Sequence, residues 1–156
     1  MKANYLLDDG ALGDAISKEV LQQNGILTEV LALDKETYQA PLDALKADRG
    51  YVEQDEVKLL PDMENLDAIC AKFKDEHHHD DDEVRFVLDG EGIFDLRDKD
   101  DRWMRVHVEQ GDLIVVPKDL HHRFFLTDQN FIHCVRLFKD TAGWVPHYRH
   151  PATSNA

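Results

Sequence analysis

Cysteine is nearly absent. Cys70 and Cys134 are the only two, and they form no CxxC spacing. That excludes a disulfide scaffold and a Cys-rich structural zinc site, and leaves two buried free thiols as the expectation. Positive charge is also scarce. Lysine and arginine number 18 against 32 aspartates and glutamates, a formal net charge of −14. Such a chain repels phosphate backbones and anionic lipid, so no nucleic-acid and no membrane partner is expected. Nowhere is there a run of the ~18 apolar residues that a spanning helix needs. The opening MKANYLLDDG holds no apolar run of signal-peptide length, which points to a cytoplasmic location. Repeats of solenoid period and linker-like stretches are missing too.

What remains is an ordinary globular balance of 42% hydrophobic and 32% charged residues over 156 positions. One domain of that length buries enough surface to need no staples. Residues 1–74 read as a mixed helix and strand part, 75–149 as an all-β part, and 150–156 as a tail, with fraying expected after Trp144. In the first part, Asp14 is placed to cap a helix that stops at Gly25, and ILTEVLAL (26–33) reads as a strand. Pro41 opens a second short helix that Gly50 closes. Asp62 caps a third, whose stripe is Met63, Leu66, Ile69, Cys70 and Phe73. After Phe73, short apolar segments alternate with turn residues: 84–88, 93–97, 103–109, 113–116, 123–126 and 131–138. Asp89-Gly90 between the first two is a hairpin signal. Strands at this spacing make an antiparallel sandwich or barrel.

The chemistry concentrates in EHHHDDDEVR (76–85). His77 and His79 are two apart and face one side of an extended strand, while His78 faces the other. Glu83 follows across an acidic loop in which Asp80, Asp81 and Asp82 read as solvated. Two imidazoles and a carboxylate suit a divalent first-row metal, Fe, Ni, Mn, Co or Zn, with positions left open. A further histidine near position 122 would complete the set. Arg85 shares the face of Glu83 in an otherwise apolar strand and needs an anionic partner, either a structural carboxylate such as Asp95 or a ligand.

The spacing continues. Six residues separate Glu83 from Gly90, and GDLIVVPKDLHH runs from Gly111 to His122. The combined pattern resembles the two motifs of the cupin superfamily, which implies a mainly β fold: a cupin double-stranded β-barrel (jelly roll) with a few N-terminal helices packed on it. Gly90 and Gly111 would then be the turns of two hairpins. Two departures stand out, Asp119 where a glycine is usual and Leu126 where an asparagine is frequent. Aspartate tolerates positive φ, so that turn can survive.

Within the superfamily, the stretch EHHHDDDEVRFVLDGEGIFDLRDKDD with its HHRFFL and FIHCVRLFKDTAGWVPHYR continuations closely resembles the acireductone dioxygenase family. The resemblance implies that His77, His79, Glu83 and His122 are metal ligands, with His122 rather than His121 as the fourth. It implies Arg85 as catalytic and Arg136 as a second contact to an anionic substrate. Phe73, Phe124 and Trp144 match an apolar pocket wall, and Glu76 and Asp82 match positions behind the ligands.

The implied cofactor is one Fe(II) or Ni(II) per chain, with no organic cofactor. The implied reaction joins O2 to the acireductone 1,2-dihydroxy-3-oxo-5-(methylthio)pent-1-ene in methionine salvage. The Fe form would give formate and 4-methylthio-2-oxobutanoate. The Ni form would give formate, CO and 3-methylthiopropanoate. A monomer is expected. Other readings are a different metal-dependent cupin enzyme, or a non-catalytic cupin that binds a small ligand.

Overall fold

The computed structural model describes residues 1–150. The expected tail therefore lies, apart from His150, outside the described residues. In chain order the elements are β1 (Lys2–Leu6), β2 (Leu12–Ala15), α1 (Lys18–Gln23), β3 (Leu27–Val30), α2 (Lys35–Arg49), β4 (Glu53–Leu59), α3 (Leu66–Lys74), β5 (His77–His78), β6 (Glu83–Arg97), β7 (Trp103–Glu109), β8 (Asp112–Val116), β9 (His122–Leu126), β10 (Ile132–Phe138) and β11 (His147–Tyr148). A short 3₁₀ turn, Thr141–Trp144, precedes β11. The expected mainly β cupin barrel with flanking helices is borne out.

The strands form two antiparallel layers that share β6. One layer runs β11-β5-β9-β6-β7-β1-β2. The other places the first half of β6 between β8 and β10, with β3 and β4 at the edges. The segments 84–88 and 93–97 are thus one strand, not a hairpin. Asp89-Gly90 is where β6 passes from one layer to the other. The register with β10 jumps between His133 and Cys134, leaving a bulge at Leu88, and Gly90 takes φ +77°. Bulge and glycine together bend the strand without ending it. Gly111, at φ +94°, also makes no hairpin, because β7 and β8 do not pair with each other: β8 pairs with the first half of β6 and β7 with the second, so the turn crosses between layers.

Alternation along β6 sorts its side chains. Val84 and Phe86 face outward, where Tyr38 and Leu42 of α2 cover them together with Leu113, Val115, Val135 and Leu137. Val87, Phe94 and Leu96 face the barrel interior with Met104, Val106, Val108, Ile114 and Cys134. Glu83 and Arg85 share the inward face, so a carboxylate and a guanidinium enter the barrel at one end. α3 lies over that end and contributes Ile69 and Phe73.

Several boundaries differ from the sequence reading. Asp14 lies in β2, and Ser17 caps α1, its hydroxyl accepting from the Val20 N–H at 3.3 Å. α2 starts after Asp34 and runs through Pro41, while Gly50 closes it at φ +79° as expected. α3 starts after Asn65, not Asp62. β1, β2 and β4 carry no alternating apolar signature. β4 (EQDEVKL) is a strand because all seven residues pair with β10. The chain after Trp144 is not frayed through Arg149, since β11 pairs with β5 and Arg149 bonds Glu76 and Asp101.

At Gly90 a Cβ would meet the Phe131 carbonyl oxygen at 2.3 Å, whereas at Gly10, also left-handed, it would meet nothing within 4 Å. Gly90→Ala should therefore cost roughly 2–4 kcal/mol, from strain plus overpacking, and Gly10→Ala about 1 kcal/mol. Urea unfolding of both variants measures this. Equal losses would mean that close packing at the bend contributes nothing.

Candidate metal and ligand site

The expected residues converge. His77 on β5 lies opposite His122 on β9, with ring centroids 4.5 Å apart, and His79 follows at 4.8 Å from His77. All three rings are buried, and one nitrogen from each falls within 4.8 Å of the others. Glu83 joins them, with Oε2 2.9 Å from His122 Nε2 and 3.7 Å from His79 Nε2.

The backbone fixes which nitrogen faces inward. His77 Nδ1 lies 2.7 Å from the Asp75 carbonyl, His122 Nδ1 2.8 Å from the Leu120 carbonyl, and His79 Nδ1 3.5 Å from the Val145 carbonyl. A carbonyl only accepts, so each Nδ1 is the protonated donor and each Nε2 turns a lone pair to the centre. His77 Nε2 is buried with no hydrogen-bond partner among the described residues. Three lone pairs and a carboxylate pointing at one spot repel one another unless a cation sits between them. This is the donor arrangement of a divalent metal with imidazole tautomers set by outer hydrogen bonds.

The electrostatics agree. Burial pulls the His77 imidazole down to about 4 from an ordinary 6.5, and His122 nearby adds to the shift. Burial also lowers His79. Burial alone would raise the Glu83 carboxyl, but the Arg85 guanidinium outweighs it and holds the group well below the usual range. His77 and His79 are thus favoured as neutral imidazoles and Glu83 as an ionised carboxylate, the forms that bind metal.

Arg85 stands beside this set, with Nη2 3.2 Å from Glu83 Oε1 and Nη1 donating to the Val84 carbonyl at 2.8 Å. Asp95 is not its partner. That carboxylate is fully buried and holds Arg105 and Arg123 instead. Arg136 lies next to Arg85 in register on β10, but Asp55 already grips it through two bonds of 2.7 and 2.6 Å. A cavity of about 190 Å³ opens from Glu83 and is lined by Arg85, Arg136, Phe73, Phe124, Phe94 and Cys134 among others. Trp144 is not part of that lining. Its ring covers the two guanidinium groups instead, 4.7 Å from Arg85 and 4.8 Å from Arg136. Of the Phe124–Phe125 pair, Phe124 takes the cavity side.

Glu76 and Asp82 act from behind. Glu76 binds Arg97 through two bonds of 2.9 Å and Arg149 at 2.7 Å, fixing the start of β5 to the segment after Trp144. Asp82 is not a solvated loop residue. It accepts from Tyr51, from Arg49 and from the Lys118 N–H, joining the acidic loop to the turn before β9. In that turn Asp119 adopts φ +68°, the left-handed conformation expected of it. Sequence reasoning missed Tyr51, Arg49 and Cys134, and also the Val145 carbonyl. Cys134 was findable, because it shares a strand face with Arg136. Tyr51 and Arg49 come from distant segments and carry no local signal.

A two-layer β-barrel with three inward imidazoles and one carboxylate at its mouth defines a cupin of the metal-binding kind. The chain belongs to the ARD/ARD' family, whose model matches residues 3–146. It is 49% identical over 131 residues to the acireductone dioxygenase of Heterostelium pallidum, covering 84% of this chain and 90% of that one. With the Dictyostelium discoideum acireductone dioxygenase it shares 44% identity over 143 residues, 92% of this chain and 96% of that one. Among solved structures, the acireductone dioxygenase from Bacillus anthracis, determined with a cadmium ion in its active center, superposes with a TM-score of 0.84 at 31% identity, covering 95% of this chain and 98% of that one. The expected family membership is borne out. No helix among the described residues is long and apolar enough to cross a membrane.

Folding depresses the proton affinity of His77, so between about 4 and 6.5 the unfolded chain binds more protons than the folded one. Stability of the metal-free protein should rise with pH through that window and be lost as pH falls through it, on the order of 3 kcal/mol. Melting temperatures from pH 7 to 4.5 check this, and His77→Phe should flatten the slope. A flat wild-type profile would refute the burial account.

Proposed function

We propose that this chain is a metal-dependent dioxygenase that cleaves the acireductone 1,2-dihydroxy-3-oxo-5-(methylthio)pent-1-ene with O2 in methionine salvage. The observation that carries this is the buried three-imidazole, one-carboxylate cluster opening directly onto an apolar cavity that holds two guanidinium groups. His77, His79, Glu83 and His122 would hold one Fe(II) or Ni(II). The cation, when bound, would supply Lewis acidity to an enediol and help it ionise. Both metals suit these donors. The identity of the metal rather than the chain should therefore decide between the α-keto-acid product and the CO-forming outcome.

The chain's own residues have separate tasks. Arg85 is the positive group nearest the cluster and would meet the developing enediolate charge. Its other neighbour, Glu83, would be engaged by the cation. Arg136, held by Asp55, keeps a second positive charge in place and has less freedom to move onto a ligand. Phe73 and Phe124 give the methylthio tail an apolar wall and exclude water from the reacting end. Trp144 screens the guanidinium pair from solvent.

The direct test is anaerobic metal removal, reloading with Fe(II) or with Ni(II), and analysis of products from the acireductone and oxygen. Formate with 4-methylthio-2-oxobutanoate is expected from the Fe form, and formate, CO and 3-methylthiopropanoate from the Ni form. Identical products from verified single-metal samples would overturn the metal dependence, and no oxygen uptake in either would overturn the activity.

At one added equivalent of Ni(II), Ala at His77, His79 or His122 should each lower bound nickel sharply, while His121→Ala should not. Nickel retained in His122→Ala but lost in His121→Ala would move the fourth ligand by one residue.

Arg85→Ala should keep the metal and lose turnover by roughly 10²-fold or more, the scale of removing one preorganised charge-stabilising donor. Bound metal, melting temperature and oxygen consumption on one preparation decide it. A lowered melting temperature with near-normal turnover would make Arg85 only a brace for Glu83.

A further inference from the structure

The alternation that sends His77, His79 and His122 inward sends their neighbours outward, and those neighbours also cluster. His78 and His121 meet on the outer face with ring centroids 5.1 Å apart. His147 on β11 lies opposite His78 in register and stacks on it at 4.9 Å. Two carboxylates close the group. Asp119 Oδ1 lies 3.9 Å from His78 Nδ1, and Asp80 Oδ2 lies 3.1 Å from His147 Nε2. Ligand atoms of His78, Asp80 and Asp119 all fall within 4.8 Å of one another.

We propose that this cluster is a second metal site, separate from the inner one, that takes a borderline divalent cation with zinc the best fit. His78, Asp80, Asp119 and His147 would be its ligands. The donor set is two imidazoles and two carboxylates, without thiolate, which suits four-coordinate Zn(II). Metal–ligand bonds of ~2.0–2.1 Å put neighbouring donors roughly 3–3.5 Å apart, so His78, Asp80 and Asp119 would draw in from within 4.8 Å, and His147 would join through Asp80, which its Nε2 already meets at 3.1 Å. A second observation points the same way. His78 Nδ1 is buried from solvent yet has no hydrogen-bond partner among the described residues. An orphaned ring nitrogen 3.9 Å from a carboxylate is costly without a proton or a cation between them. Asp119 meets the site from a backbone in the left-handed conformation. His121 packs edge-on against His78 and fixes its ring.

The four ligands come from four segments: β5, the acidic loop after it, the turn before β9, and β11. These segments also frame the inner cluster, and the Val145 carbonyl that meets His79 lies two residues before His147. A cation at the outer site would tie the segment after Trp144 to β5 and to the acidic loop. It would raise thermal stability without touching an inner ligand.

The test loads the whole protein with one equivalent of Ni(II) and then titrates Zn(II) alone. Elemental analysis after gel filtration reports the two metals separately. The expected result is about one zinc per chain gained with nickel retained, together with a higher melting temperature. His78→Ala/His147→Ala should keep nickel and lose the zinc and its thermal shift. Asp80→Asn/Asp119→Asn changes only exposed carboxylates and decides the matter should the histidine variant fail to fold. Its zinc affinity should fall at least ~10-fold, the lower end of what even outer-shell losses cost. Zinc gained only as nickel leaves would overturn the proposal, as would equal zinc uptake in both variants. If wild type fails to take nickel, the inner assignment falls, while the zinc difference between wild type and variants still judges the outer site.

Discussion

One buried carboxylate organises this molecule. Glu83 enters the barrel among three imidazoles and beside a guanidinium, and is buried there. A charge there is costly unless every neighbour is arranged for it. The arrangement is made by backbone carbonyls, which tie down Nδ1 of His77, His79 and His122 and leave the opposite nitrogens to face Glu83. Asp75, Leu120 and Val145 contribute through their main chain alone, so their side chains give no hint of the task. The start of β5, the turn before β9 and the segment after Trp144 must each hold position for these three bonds to form. Glu76 and Asp82 are the clamps that hold them, through Arg97 and Arg149 in one case and Tyr51, Arg49 and the Lys118 amide in the other.

β6 explains how a sheet protein delivers opposite charges to one spot. A strand that stayed in one layer would present Glu83, Arg85 and Val87 to one interior surface and stop. By bending at Leu88–Gly90, β6 continues into the second layer and puts Phe94 on the far wall of the same cavity. The cost is a bulge and a left-handed residue with no room for a side chain. The gain is that one strand carries both the charged floor and part of the apolar wall, so their spacing is set by covalent geometry and not by docking of separate elements.

This division also accounts for what the sequence made legible. His77, His79, Glu83 and Arg85 were readable because a period of two puts them on one face. His122 lay beyond any periodicity within one strand and came from resemblance. The β-barrel was readable from the spacing of short apolar segments, but the hairpin at Asp89-Gly90 was not what those residues encode. Glycine after aspartate marks a positive φ equally well in a turn and in a bulge. Only the partners of the strand, β8 and β10 before the bend and β7 and β9 after it, decide between the two. β4 was invisible for a related reason. It sits at a sheet edge with mostly charged side chains, so pairing with β10 rather than its own composition makes it a strand. Arg136 was legible as a residue of the site but not as one already bound, because Asp55 reaches it from that hidden strand. Trp144 was read as cavity wall, whereas its ring lies over the cations that face the cavity.

The charge distribution bears on what such a site accepts. A chain of net charge −14 repels anions at long range. Its interior end does the opposite over a few ångströms, with Arg85 and Arg136 side by side under an indole ring. Each guanidinium already has a carboxylate, Glu83 for one and Asp55 for the other, so neither is a free positive charge. What distinguishes them is the fate of the partner. Asp55 is held to Arg136 by two bonds and is no part of the histidine cluster. Glu83 would be drawn to a cation held by the three histidines, and Arg85 would then be left buried with part of its charge unmet. A buried, incompletely paired guanidinium favours a ligand that brings negative charge to that place and no other. On this account an anionic ligand would be bound by becoming the missing partner of one arginine, and the repulsive exterior would discourage anions that cannot also reach the cluster.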